Sequence, residues 1–65
     1  MSAPTTLAID AAAYVRRLAY RAGVHAARNG KPREVPQGAP TTGHEAFLAG
    51  WDAETRRLAV VTGEA

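Results

Sequence analysis

The chain has 65 residues, of which 22% are charged, a formal net charge of +2 and no cysteine. That length allows one small domain with a modest core, and without cysteine no disulfide can brace it, so packing or a partner must. No apolar run approaches the roughly 20 residues of a membrane span, and Met1 to Thr6 is polar with no cationic segment before an apolar one, so a soluble, cytoplasmic protein is expected.

The charge is unevenly spread. Residues 1–33 carry six basic side chains against Asp10 alone, a net of +5, whereas the rest carry two against five acids, a net of −3. Such asymmetry implies either an anionic partner for the first half or attraction between the two halves.

In chain order, Ser2, Pro4, Thr5 and Thr6 favour an extended lead-in, with Thr5 or Thr6 as the hydroxyl cap of a first helix over about residues 6–29. Asp10 falls near its first turns, where a carboxylate complements the helix dipole. Alanine and arginine, both strong helix formers, dominate the stretch and no proline interrupts it. At about 100° per residue, Val15, Leu18, Ala19, Ala22, Gly23 and Ala26 share one broad apolar face, extended by Leu7, Ala11 and Tyr14. Arg17, Arg21 and Arg28 form a stripe beside it, with Arg16 farther round. Guanidinium groups in such a row can grip an anionic surface, although a solvated helix face accounts for them equally well.

Asn29-Gly30 tolerates left-handed backbone and Pro32 follows at once, which ends the helix. Pro32, Pro36, Gly38 and Pro40 make a stiff linker of about residues 30–41. A second helix is expected over about residues 43–60, opened by a capping box between Thr42 and Glu45. On its wheel Phe47, Trp51 and Leu58 lie within about 40° of one another, with Leu48 at one edge and Gly50 at the other. Asp52 and Arg56 are spaced as an outward ion pair, and the tail after Leu58 is expected to fray near residue 60.

Gly23 and Gly50 each cost a helix about 1 kcal/mol relative to alanine, and close approach of the helices is the reason to keep them. The aromatic rings would pack on a groove floored by Ala19, Gly23 and Ala26, in an antiparallel hairpin or between two chains. The predicted fold is therefore all-α: two helices joined by a Pro/Gly-rich linker, packed as a helical hairpin or through a homodimer, with Leu18, Gly23, Phe47, Gly50, Trp51 and Leu58 in the core.

Motifs for catalysis are weak. His25 and His44 have no cysteine or carboxylate at a metal-ligand spacing, so no metal is expected. Gly30-Lys31 lacks the rest of a phosphate-binding loop and ends a helix instead of starting one. Phe47 and Trp51 could stack on bases, but their spacing with Leu48 and Leu58 is that of a core.

Tyr20-Arg21-Ala22-Gly23-Val24, a helix end near Gly30-Lys31, a proline-bearing linker and Phe47-Leu48-Ala49-Gly50-Trp51 followed by Ala53 together resemble the ribosome modulation factor family. Its pattern is an aromatic-x-Ala-Gly-x segment, a short linker and a Trp-x-x-Gly-Trp segment, with Phe47 here in place of the first Trp. The resemblance spans Ala19 to Ala53. It implies a small two-helix protein that binds the bacterial ribosome and promotes its inactive, hibernating form, with no cofactor. Structured RNA would then be the partner and Arg17, Arg21, Arg28, Lys31 and Arg33 the contacting residues. Divergent members of the same fold group are described as plasmid-borne proteins that phosphorylate fluoroquinolones, so an ATP- and magnesium-dependent phosphotransferase is an alternative by resemblance. A homodimeric interaction module is a third. For the enzyme, Lys31, Arg33, Asp52 and Glu54 are the groups available, and two helices with a linker offer them little enclosure.

Overall fold

The computed structural model describes the backbone of residues 3–63 and the side chains of residues 11–63. Helix α1 spans Ala3–Arg28, a single 3-10 turn spans Thr41–Gly43, and helix α2 spans His44–Thr62. No strand occurs among the described residues. The all-α pair of helices joined by a proline-rich linker is thus the fold, and the helices pack on each other within one chain.

The start of α1 is earlier than expected. Thr5 and Thr6 lie inside the helix, which begins at Ala3 with Pro4 in its first turn, where a missing N–H costs nothing. The side chains of Leu7 and Asp10 lie outside the described residues. Its end follows the sequence signal: Gly30 takes φ 75°, the Lys31 N–H donates to the Ala26 carbonyl (2.9 Å), and the Gly30 N–H donates to the Ala27 carbonyl (3.1 Å). This left-handed stop turns the chain sharply back along α1.

The linker's return reverses the expected direction of α2. Apart from the crossing itself, where Gly23 meets Phe47 and Gly50 meets Tyr20, Gly43 sits against Ala19 and Val15 and Arg28 against Glu54, so over their length the contacts advance along both helices together. The helices run in the same sense, not antiparallel. They are also staggered, which accounts for a long dimension of 53 Å when α1 alone is about 39 Å.

Two glycines make the crossing possible. A Cβ on Gly23 would collide with the carbonyl oxygen of Phe47, and one on Gly50 with that of Tyr20. The contacts are reciprocal because the chain repeats an aromatic-x-Ala-Gly segment 27 residues apart, Tyr20-Arg21-Ala22-Gly23 and Phe47-Leu48-Ala49-Gly50. Each glycine receives the backbone of the other segment's aromatic residue. Backbone-to-backbone packing of this kind replaces the larger core that so short a chain lacks.

The buried stripe of α2 is Phe47, Gly50 and Glu54, facing Gly23 and Ala27 of α1. Trp51 and Leu58, expected at its centre, are only half-buried on its flank. Leu18, expected in the core, is 46% exposed, and Tyr14 is 57% exposed. Ala22 is also exposed. The reason is the crossing: once α2 rides over Gly23, the part of the α1 arc that holds Leu18 and Ala22 turns toward the linker instead.

Two local expectations at α2 also change. Neither Thr42 nor Glu45 forms the capping box; Thr42 lies inside the 3-10 turn, closed by the Gly43 N–H on the Pro40 carbonyl (3.0 Å), so the N-cap moves to Gly43, which has no side-chain bond to offer. The helix does not fray at residue 60 but continues to Thr62, where Gly63 at φ 81° donates to the carbonyls of Ala59 and Val60.

Candidate functional site

The elements place two surfaces side by side on α1, one cationic and one apolar. The basic residues of the first half divide into those held by the second half and those left open to solvent.

The held set begins at Glu54. Its carboxylate is 4% exposed and accepts from Arg28 Nε (3.0 Å), Arg57 Nε (2.9 Å) and Arg57 Nη2 (2.8 Å). A carboxylate so placed would be costly alone, but three charge-assisted donors satisfy it. The bonds from Arg57 and then Arg28 hold its pKa down to about 2 against the opposing effect of burial. Among the described residues no buried side-chain nitrogen or oxygen lacks a partner.

Arg33 is held as well. It clasps Asp52 with both ends of its fork, Nε to Oδ1 at 2.7 Å and Nη2 to Oδ2 at 2.9 Å. The hydrogen bond from Arg33 lowers the Asp52 pKa, and the same bond raises that of Arg33. Arg56, expected as the partner of Asp52, makes no hydrogen bond to it and adds only a longer-range attraction. Both are arginines, and the one the linker delivers is placed to bond both carboxylate oxygens, a two-pronged geometry that Arg56 does not make.

Two further bonds fix the linker. Trp51 Nε1 donates to the Lys31 carbonyl (2.9 Å), and His44 Nε2 lies 2.9 Å from the Ala39 carbonyl, which makes that nitrogen the protonated one. Trp51 therefore serves as a strut between α2 and the turn after α1. His25 is exposed, and no three His, Asp or Glu side chains group as a metal site among the described residues.

The open set is Arg16, Arg17 and Arg21, all exposed and without an ion pair to any described residue; Arg17 and Arg21 lie one turn apart on the same stripe, with Arg16 farther round. Lys31 is exposed beside the linker turn. Of the five residues expected to contact RNA, then, all are exposed: Arg17, Arg21 and Lys31 without an ion pair to a described residue, and Arg28 and Arg33 bonded to carboxylates of α2.

Comparison with known protein families, with curated proteins and with solved structures finds no match. The chain's own geometry therefore carries the functional reading. No helix among the described residues is long and apolar enough to cross a membrane.

The second surface went unread in the sequence. Val15, Leu18, Ala19 and Ala22 of α1, Val35, Pro36, Ala39 and Pro40 of the linker, and Gly43 and Phe47 beyond it line an open cleft of about 300 Å³. The linker prolines looked like a connector, and only their return along α1 makes them a wall. Glu54 was missed in its structural role for a similar reason: a carboxylate on a helix reads as solvent-facing. Its spacing from Phe47 and Gly50 was the available signal.

Proposed function

We propose that the chain is a small RNA- or ribosome-associated binding protein without catalysis, as its resemblance to ribosome modulation factors implies. The observation that carries the reading is the open pair Arg17 and Arg21. In a chain where Arg28, Arg33 and Arg57 are all bound to carboxylates, these two remain exposed one helical turn apart on a helix about 39 Å long. A helix edge whose guanidinium groups have no ion pair to any described residue suits a phosphate backbone, which takes charge and forked donors without demanding an enclosed pocket. Lys31 extends the same charge at the far end of α1.

The phosphotransferase alternative ranks lower, because the cleft is walled by apolar side chains and phosphoryl transfer needs groups that neutralise phosphate. Sedimentation of lysate through a sucrose gradient tests the proposal. The chain is expected to travel with ribosomal particles at low salt and to leave them at high salt, since phosphate contacts release counterions. Migration only as free protein at every salt concentration would refute it.

A further inference from the structure

The cleft between α1 and the linker has no role in the reading above. Its walls are apolar on both sides, Leu18 and Ala22 facing Val35 and Pro36, with Phe47 among its lining residues. The apolar surface continues out of the cleft, because Tyr14 lies one turn before Leu18 and both are exposed. From Tyr14 to Ala22 this strip is about 12 Å long at 1.5 Å per residue, about two turns of a helix laid along it.

Charge selects the occupant. Arg17 and Arg21 flank Leu18 in the same two turns, exposed and without an ion pair to any described residue. The one acid lining the neighbouring stretch of the linker is Glu34. The rim on the α1 side is therefore cationic. A second copy fits poorly, since two-fold pairing of α1 on α1 would set these arginines against their own copies. A nucleobase fits poorly too, because the apolar side chains of the cleft give no donor or acceptor to its edges.

We propose that this cleft docks an acidic amphipathic helix from a partner protein, whose apolar side chains enter between Leu18 and Val35 while its carboxylates meet Arg17 and Arg21. The cleft defines the docking site, but Arg17 and Arg21 are shared with the RNA contact proposed above, so RNA and the acidic helix compete for those two residues.

The test uses the full chain and two synthetic peptides of about four helical turns, one with leucine on one face and glutamate on the other, and a twin with lysine in place of glutamate. Amide resonances of the labelled protein are followed by NMR. The glutamate peptide is expected to shift Leu18, Ala22, Val35 and Ala39 and to bind at least roughly tenfold more tightly than its twin. Leu18→Asp and, separately, Val35→Asp should each abolish this binding while leaving the circular dichroism spectrum unchanged, and Val35→Asp, on the linker wall away from Arg17 and Arg21, should also leave RNA affinity unchanged. Equal binding of the two peptides would overturn the proposal, and so would shifts confined to surfaces outside the cleft. Self-association that Leu18→Asp abolishes would assign the cleft to a second copy instead, and shifts of Val35 and Ala39 on adding RNA would assign it to nucleic acid.

Discussion

Arg21 and Arg28 share one residue type, one helix and one stripe, yet they have different work. Arg28 lies where α2 passes and is bound to Glu54, whereas Arg21 lies on a turn where no described carboxylate reaches it. The contrast extends outward, with Arg33 joining the held group through Asp52 and Arg17 joining the open group. The uneven charge of the sequence has two readings, attraction between the halves or an anionic partner. Attraction operates at the carboxyl-terminal end of α1. The amino-terminal side remains available for a partner. What decides between them at each residue is which acid the linker's return delivers to that turn.

The strongest way to break the contrast is to remove the crossing that creates it. Gly23→Ala places a methyl group on the Phe47 carbonyl, where backbone and not a flexible side chain must move. Overpacking commonly costs about 1–3 kcal/mol, and a backbone obstacle puts this site at the upper end or beyond. In a domain of marginal stability that is enough to unfold a large fraction of the chain. Thermal unfolding followed by circular dichroism should show a much lower midpoint, and Gly50→Ala should behave alike because the two contacts are reciprocal. An unchanged midpoint in either would contradict the crossing.

Next in size is Glu54→Gln, which withdraws the charge that three donors share. The midpoint of unfolding should fall, and Arg28 and Arg57 should be freed. The same group sets an acid limit. Its folded pKa of about 2 lies below the ordinary 4.5, so its contribution is complete above the unfolded value and is lost as pH falls from there through about 2. Wild-type chain should therefore lose stability over that window more steeply than Glu54→Gln. Parallel pH profiles for the two would remove Glu54 from the account.

A smaller effect is expected at Trp51→Phe. The ring volume is largely kept while the bond from Nε1 to the Lys31 carbonyl disappears, at a cost of about 1 kcal/mol. Amide exchange should quicken at the turn after α1 and leave the amino-terminal turns of the helix unaffected.

The sequence disclosed some of this plainly. Asn29-Gly30 and Pro32 marked the end of α1, and the cost of glycine inside a helix identified Gly23 and Gly50 as points of close approach. It did not disclose direction. A twelve-residue linker can lead to either orientation, and the repeated aromatic-x-Ala-Gly segment fixes where the helices cross without fixing their direction. Side chains are read from one helix at a time: the wheel puts Leu18 in the core, and i,i+4 spacing puts Asp52 with Arg56. With a parallel partner crossing at Gly23, Leu18 opens onto the linker cleft and Asp52 meets Arg33. The Thr42–Glu45 box failed for a local reason, because a 3-10 turn occupies the approach to α2. Of the candidate site, the identity of the arginines was legible and their division was not, since pairing depends on residues 26 and 19 positions away in sequence.

The division is tested most directly by the salt dependence of binding to a structured RNA, measured beside the thermal midpoint for two variants. Replacing Arg17 and Arg21 together by glutamine should lower the log–log slope by about 1.4–1.8, at 0.7–0.9 per contact, with the midpoint unchanged. Arg28→Gln should lower the midpoint and leave the slope as it was. The contrary result, a slope that responds to Arg28→Gln and ignores the loss of Arg17 and Arg21, would mean that the held arginine is the binding one and the open pair is only a solvated face.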